Sequence, residues 1–134
     1  MKKMLVLVFA ALSVSACVTV VAPVGPAGSV FLGERMVAYT ADHDVIGVGR
    51  YEGAFRSIAF QVEKNDVEIF NLVVVYANGE REKIGTRLIF REGTRSRLID
   101  LHGGKRHIQS IQFTYKTVGT WKEGRARVIV FGVK

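Results

Sequence analysis

The sequence predicts an all-β protein: an antiparallel sandwich of about eight strands, jelly-roll-like, that follows an N-terminal signal helix. Short apolar or alternating runs recur from Ser29 to the end of the chain, and turn-forming pairs such as Asn78-Gly79 separate them. No convincing helical periodicity interrupts these runs. Strand-sized runs without helices between them favour a sandwich over folds that alternate strands and helices.

Each predicted strand follows from its local pattern. Residues 67–76 are apolar almost throughout, which indicates a central strand buried on both faces. In residues 55–63, Ile58, Phe60 and Val62 share one face, as expected for a half-buried strand. Asn78-Gly79 predicts a hairpin with a type I′ turn. The predicted strands are 30–40, 45–51, 55–63, 67–76, 80–90, 96–101, 107–118 and 125–133.

Residues 1–16 have the three parts of a secretory signal peptide. Lys2 and Lys3 supply positive charge, residues 4–12 form an uninterrupted apolar run, and small residues follow up to Ala16. The apolar run is much shorter than the about 20 residues that a membrane-spanning helix requires. We therefore expect residues 1–16 to be removed and to take no part in the folded domain.

The residues at the end of this signal, Val14-Ser15-Ala16-Cys17, resemble the lipobox of bacterial lipoproteins. In that class the cysteine receives diacylglycerol and becomes the first residue after cleavage. Cys17 is the only cysteine of the chain and so has no partner for an internal disulfide. The resemblance implies lipidation at Cys17, and Val18 after it favours the outer membrane. An ordinary signal peptide cut after Ala16 is the alternative.

The remaining chain is predicted to form a lipidated tether, residues 17–28, and one β-sandwich domain, residues 29–134. The tether contains both prolines, Pro23 and Pro26, and no charged residue. It is predicted to hold the domain away from the membrane, although its valine-rich start could instead pair as an edge strand. The formal net charge is +7, of which Lys2 and Lys3 belong to the signal. Outside the cytoplasm, a basic surface predicts anionic lipid headgroups or glycans as partners, and no nucleic acid.

Several short segments resemble a family of small exported bacterial β-domain proteins of unknown function. The resemblance covers roughly residues 31–117 and implies an all-β envelope domain. It carries no known catalytic residue to this chain. The matching segments are residues 41–50, 53–55, 74–79, 97–101, 106–108 and 111–115.

The motifs for metal binding and catalysis are weak. Asp42 and Asp44 could both face Ca²⁺, but this ion takes six or more oxygens, and Asp at a loop start also bonds its own backbone. These two residues are therefore weak metal candidates, and we predict no metal and no cofactor. The three histidines, His43, His102 and His107, lack metal-ligand spacing, and no serine lies in a G-x-S-x-G turn. We predict no catalytic residue and no enzymatic activity.

Basic residues concentrate between positions 81 and 106, where Arg81 and Lys83 share one strand face and Arg95 and Arg97 another. Paired strands could combine them into a stripe that binds phosphate or carboxylate groups, although an ordinary solvated face is the favoured interpretation. Trp121 lies in a polar loop, where an exposed indole could stack on a sugar or touch a membrane, or the side chain could fold back to cap the core, the cap being favoured. The candidate ligand-binding residues are Arg81, Lys83, Arg87, Arg95, Arg97 and Trp121.

The sequence therefore predicts a lipid-anchored protein of the bacterial cell envelope, placed in the outer membrane and facing the periplasm. Its sandwich is predicted to be a binding or interaction module for an anionic glycan, a lipid headgroup or an envelope protein. A structural envelope protein with no ligand is the alternative. A hydrolase acting on envelope polymers is less favoured, and it would need Asp42, His43, His102 and His107 to converge.

Overall fold

The computed structural model describes residues 23–49, 52–85 and 88–134. Within these ranges ten β-strands form two antiparallel sheets, which confirms the predicted all-β fold class. The predicted signal peptide, Cys17 and Arg87 lie outside the described residues. In the part of the chain that is described, no helix is long and apolar enough to cross a membrane.

The two sheets have four and six strands. The four-stranded sheet has the order β1-β10-β4-β8, and the six-stranded sheet has the order β2-β9-β5-β6. In the six-stranded sheet β3 also pairs with β9, and β7 also pairs with β5. The strands are β1 (Ser29–Met36), β2 (Asp42–Gly47), β3 (Ala54–Phe55), β4 (Ser57–Glu63), β5 (Val67–Tyr76), β6 (Arg81–Ile84), β7 (Leu88–Phe90), β8 (Ile99–Asp100), β9 (Arg106–Thr117) and β10 (Arg127–Val133).

Two predicted strands are divided in the structure, which raises the number from about eight to ten. The predicted strand 55–63 breaks at Arg56, where the chain passes from the six-stranded sheet into the four-stranded sheet. The predicted strand 80–90 breaks after Ile84, and its two parts pair with different halves of β5. In contrast, β5 has the predicted bounds, 67–76.

The sheets pack face to face around one core. Ile58, Phe60 and Val62 are fully buried, as the alternation in β4 predicts. The ring centroids of Phe60 in the four-stranded sheet and Phe113 in the six-stranded sheet are 6.5 Å apart, in an edge-to-face arrangement. Contacts of this kind between the inner faces are what hold a sandwich together.

The loops cluster at the two ends of the sandwich. The end that contains residues 48–53, 77–80 and 101–105 is named the cleft end. The opposite end, with residues 37–41, 64–66 and 118–126, is named the tryptophan end. Strand β9 joins the two, because Arg106 lies at the cleft end and Thr117 at the tryptophan end.

Residues 23–28, named the strap, lie on the outer face of the four-stranded sheet. Arg95 donates a hydrogen bond of 3.0 Å to the carbonyl of Val24. A Cβ added to Gly25 would come within 2.4 Å of the Phe131 ring, so the backbone approaches this ring as closely as only glycine permits. This part of the predicted tether therefore contacts the folded domain, and the valine-rich start, for which the edge strand was the alternative, lies outside the described residues.

Candidate functional site: a cleft at one end of the sandwich

A cleft opens where β9 exchanges one edge partner for another. Strand β2 pairs with β9 as far as Gly47 and Ser110, and β3 continues the pairing from Ala54 and His107. Residues 48, 49, 52 and 53 lie between these two strands, and the Val48 amide donates a hydrogen bond of 2.9 Å to the Gln109 carbonyl. Residues 107–109 of β9 line the cleft beside them.

The turn between β5 and β6 forms the other wall. The Gly79 amide donates to the Tyr76 carbonyl at 2.9 Å, and the Ala77 amide donates to the His107 carbonyl at 2.9 Å. The predicted hairpin at Asn78-Gly79 is confirmed, but a type I′ turn is wrong, because Gly79 has a φ of 89° and Asn78 does not have a positive φ. The geometry is that of a three-residue loop closed by a bulge, which needs the left-handed conformation only at the glycine.

The cleft has a volume of about 430 Å³, within the range of small-molecule sites. A second depression, of about 210 Å³, shares Ala77 and His107 with it and continues toward Lys105 and Arg106. Apolar side chains and one amide provide most of the wall of the main cleft. Its lining residues are Val48, Gly49, Gly53, Ala77, His107, Ile108 and Gln109.

Charged groups lie around the opening. His107 is exposed and lines both depressions, and exposed Lys105 lines the second. The ammonium of Lys134 lies beside Gly53, 3.6 Å from where a Cβ would be. One carboxylate, that of Glu52, lies 3.8 Å from the equivalent point on Gly49. Among these groups the opening therefore has two cations, Lys105 and Lys134, one imidazole and one anion, Glu52.

A network of paired side chains supports the cleft from behind. The Tyr76 hydroxyl donates to the carboxylate of Glu82, which also accepts the His102 amide at 3.0 Å. The guanidinium of Arg106 lies over the Tyr76 ring, 3.8 Å from its centroid, and pairs with Glu80. Arg106 also donates to the His102 carbonyl at 3.0 Å. Together these contacts fix the turn at 101–105 against the β5–β6 hairpin.

This network shifts two pKa values. Burial, and then the hydrogen bond to the Glu82 carboxylate, raise the pKa of Tyr76 far above its ordinary value. The hydrogen bond from Arg106 lowers the pKa of Glu80. At neutral pH the tyrosine is therefore a neutral donor and Glu80 a carboxylate, which is the combination that the network requires.

Comparison with protein families gives one match. The model of a domain of unknown function, DUF2541, matches residues 4–132. The chain belongs to this family. Neither a curated protein nor a solved structure shows a significant match to it.

In this DUF2541 domain the predicted basic residues do not form one stripe. Arg81 and Lys83 are exposed on β6 at the edge of the six-stranded sheet, and Arg81 donates to Gln112 at 3.0 Å. Arg95 belongs to the other sheet, where it bonds Gln61 and the strap. Arg97 is exposed in the segment before β8. The predicted set is thus divided between two layers, and none of these four residues lines the cleft.

Trp121 does not cap the core, so the favoured expectation for this residue is wrong. It lies in a short 3₁₀ helix, Trp121–Glu123, with 73% of its surface exposed. The cause is Asn65, a fully buried amide that donates 2.9 Å hydrogen bonds to the carbonyls of Thr120 and Gly124. These bonds hold both ends of the loop against the sandwich, so the indole between them points outward.

The metal candidates have local partners. Asp42 accepts the amide of His43 at 2.8 Å, the backbone bond expected of an aspartate at a turn. Asp44 accepts the hydroxyl of Tyr115, whose pKa is raised mainly by burial. Among the described residues, no group of three or more His, Cys, Asp or Glu side chains could hold a metal ion.

Sequence reasoning missed the centre of the network, Tyr76, Glu82 and Arg106. Tyr76 reads as the last apolar residue of a buried strand, and Glu82 as a solvated charge between two basic residues. The only usable signal was the Asn78-Gly79 hairpin, which brings β5 and β6 together. The chain distance to Arg106 gives no indication that it packs on Tyr76.

Proposed function

We propose that this protein is a membrane-anchored bacterial envelope lipoprotein whose β-sandwich binds an anionic envelope component in the cleft. The observation that carries the proposal is the concave site at 107–109, with apolar walls and with His107, Lys105 and Lys134 at its opening. Ligand sites typically combine an apolar wall with a few polar groups that fix orientation.

The chemistry of the cleft favours a phosphorylated or carboxylated sugar. Ala77 offers exposed apolar surface beside the buried side chains of Val48 and Ile108, and the exposed Gln109 amide can both donate and accept hydrogen bonds. Lys105 and Lys134 would attract the anionic group. Glu52 at the rim would repel a second one, which favours a ligand with a single charge at one end.

The envelope location is supported by the N-terminal sequence. The family match begins at residue 4, so it includes the predicted signal segment. Cys17 follows that segment as the only cysteine in the chain. Acyl chains on Cys17 would hold the domain on the membrane, with the outer membrane and the periplasmic side as the proposed location.

The anchor is tested by metabolic labelling with a fatty acid, followed by membrane fractionation, for the wild type and for Cys17→Ala. We expect labelled, membrane-bound wild type and an unlabelled variant that leaves the membrane fraction. Ala16→Leu, which disturbs the cleavage site and keeps the cysteine, serves as a processing control. An unlabelled wild-type protein would exclude the anchor.

The ligand class is tested by titrating the detergent-extracted protein with a phosphorylated disaccharide and with its dephosphorylated form, while NMR follows the His107 ring. We expect salt-sensitive binding of the phosphorylated form only, weakened about 10-fold or more by Lys105→Gln. The same titration is made with His107→Gln, and His43→Gln, at the other end of the sandwich, is its matched control. Equal binding of both sugars, or none of either, would contradict the proposal.

The two alternatives make different predictions. A structural protein without a ligand is favoured by one observation, since Arg95 serves to hold the strap and Gln61. It predicts no binding in the titration. The hydrolase alternative loses its basis, because Asp42 and His43 lie at the tryptophan end while His102 and His107 lie at the cleft end. His107 and Thr114, the partner of His43, are seven residues apart on β9, about 23 Å.

A further inference from the structure

The tryptophan end exposes a group of large apolar side chains. Trp121 is 73% exposed, Val118 54% and Tyr39 45%. The Thr117 hydroxyl donates to the Ala38 carbonyl at 2.7 Å, so the loops that carry Val118 and Tyr39 are joined one residue away from each. These side chains therefore lie at one convex tip, where exposure of large apolar groups indicates contact with an apolar partner.

The tip is firmly built. The Ala38 amide donates to the Tyr115 hydroxyl at 2.8 Å, and the Val37 amide donates to the Ala126 carbonyl at 2.9 Å. The buried Asn65 fixes the residues on both sides of the 3₁₀ helix. The aromatic side chains are thus presented by an ordered frame, which lowers the entropy lost when they are inserted into a partner.

Charge at this end is compatible with lipid headgroups. Lys122 is exposed next to Trp121, and Lys64 and Arg125 are exposed in neighbouring loops. Two carboxylates of the same end are paired within the protein, Asp66 with Arg91 and Glu63 with Arg127, while Asp42 and Glu92 are exposed there.

The strap crosses the outer face of the four-stranded sheet near mid-strand, because Gly25 approaches Phe131, the partner of Ala59, and Val24 accepts a hydrogen bond from Arg95. From Ser29, which pairs with Val133 at the cleft end, the chain runs back to Val24 beside the Arg95 guanidinium, which also bonds Gln61. Gln61 is two residues from the end of β4 at the tryptophan end and four from its start. These separations correspond to about 7 Å and 13 Å of strand.

Chain length brings the tip within reach of Cys17. Five residues separate Cys17 from Pro23, and the six steps between their Cα atoms span at most about 20–22 Å when extended. Acyl chains on Cys17 would therefore keep the bilayer surface within that distance of the strap, which allows the tryptophan end to reach it.

We propose that the tip formed by Tyr39, Val118 and Trp121 inserts into the surface of the bilayer that holds the acyl chains, so that the cleft end faces away from the membrane. This inference rests on the proposed lipid anchor. Tryptophan and tyrosine favour the membrane interface, where the ring is apolar and its polar atom stays hydrated. A sugar ligand is less suited to a convex tip, because Val118 offers nothing to sugar hydroxyls. A second weak contact beside the acyl chains fixes orientation as well as attachment.

The single tryptophan of the chain makes a direct test possible. The full-chain protein is reconstituted into vesicles whose lipids carry bromine on the acyl chains, and its fluorescence is compared with that in unbrominated vesicles. We expect emission at a shorter wavelength than in detergent-free buffer, and quenching by about half or more in the brominated vesicles. Aqueous iodide should quench little.

A variant that carries its single tryptophan at another position provides the matched control. In the double variant Trp121→Phe/Leu98→Trp, the fluorophore moves to a position that is 47% exposed and comes one residue before β8, whose first residue pairs with Ile58 toward the cleft end. We expect this reporter to be quenched by iodide and hardly by bromine. Equal bromine quenching of both reporters would overturn the proposed orientation.

The outcomes separate docking from anchoring. If the protein is acylated but iodide still quenches Trp121, membrane docking of the tip is wrong and the lipid anchor stands. Protein without acylation overturns the anchor itself. A shift of Trp121 emission with a neutral polysaccharide, and none with vesicles, would identify the tip as a glycan surface and overturn membrane docking. Val118→Ser should reduce bromine quenching without changing acylation, because it removes apolar surface from the tip alone.

Discussion

The two ends of the sandwich are built from the same strand, β9, but they are stabilised in different ways. At the cleft end, charged and phenolic side chains pair with one another, as Tyr76, Glu82 and Arg106 do. At the tryptophan end, one buried amide, that of Asn65, bonds the backbone of the neighbouring loop. The first arrangement lies beside a concave site with charged groups at its opening, and the second presents apolar side chains to the outside.

The two ends show that the kind of bond that fixes a loop determines how the stability of that loop responds to pH. Bonds between ionisable side chains depend on pH, because protonation changes what each group can donate or accept. An amide bonded to carbonyls has no such dependence. We therefore expect the cleft end to respond to pH and the Asn65 loop to respond mainly to loss of its one anchor.

The largest effect is expected for Asn65→Ala. The change removes the donors of two hydrogen bonds and leaves the carbonyls of Thr120 and Gly124 without them. We expect the free energy of unfolding to fall by about 2–3 kcal/mol, measured by urea denaturation. Asn78→Ala, whose side chain accepts the Glu80 amide at an exposed turn, should cost about 0.5–1 kcal/mol. Equal losses for the two variants would show that Asn65 is not a special anchor.

The next effect is expected for Tyr76→Phe. The Glu82 carboxylate, whose side chain is only 14% exposed, loses the hydroxyl that donates to it. We expect a loss of about 1–2 kcal/mol at pH 7, with increased mobility of residues 101–105 in hydrogen exchange. Tyr39→Phe, at an exposed position of the other end, should be close to neutral. A neutral Tyr76→Phe would contradict the role assigned to this network.

The stability of the protein at alkaline pH tests the two tyrosines whose pKa values are raised, Tyr76 and Tyr115. The folded pKa of Tyr76 is raised, so its stabilising contribution is complete below the ordinary tyrosine pKa of about 10 and is lost as pH rises from there toward the folded value. Wild-type stability should therefore fall above about pH 10, and Tyr76→Phe should flatten part of this fall. Tyr115→Phe should flatten it too, since the pKa of Tyr115 is also raised. Identical alkaline curves for Tyr76→Phe and the wild type would refute the assignment.

The smallest effect is expected on the acid side, at Glu80. Its pKa is lowered by Arg106, so its contribution is present above the ordinary glutamate pKa and disappears as pH falls through the folded pKa. Glu80→Gln should remove this small part of the acid dependence in thermal melts taken from pH 7 to pH 3. Glu92→Gln, an exposed glutamate at another turn, is the charge-matched control, and a larger change for it would contradict the pairing.

The strands were predictable where burial leaves a simple pattern. Continuous apolarity over 67–76 determined β5, and alternation determined the inner face of β4. The break at Arg56 was not predictable, because Phe55 and Ile58 both continue an apolar run while they belong to different sheets. The arginine positions were likewise assigned to strand faces, but which sheet each strand joins depends on long-range pairing.

The cleft and the exposed tryptophan depend on contacts that no local pattern encodes. Large aromatic side chains are usually buried, so the sequence predicts a buried Trp121. The side-chain amide of Asn65, 56 residues away in sequence, instead fixes the loop so that Trp121 is exposed. The cleft forms because β2 and β3 share one edge of β9, a consequence of topology. Its cationic residues look like ordinary surface charges until the fold places them around a concavity.

Two interrupted edges of the sheets would have a consequence for the proposed membrane-anchored form of the protein. Along β5 the edge is divided into β6 and β7, and Arg81 and Lys83 project from the first of them. The edge strand β8 has only two residues. Short, charged edges give a neighbouring molecule little backbone with which to pair. Copies of the anchored form would therefore find little backbone for edge-to-edge pairing at β6, β7 and β8.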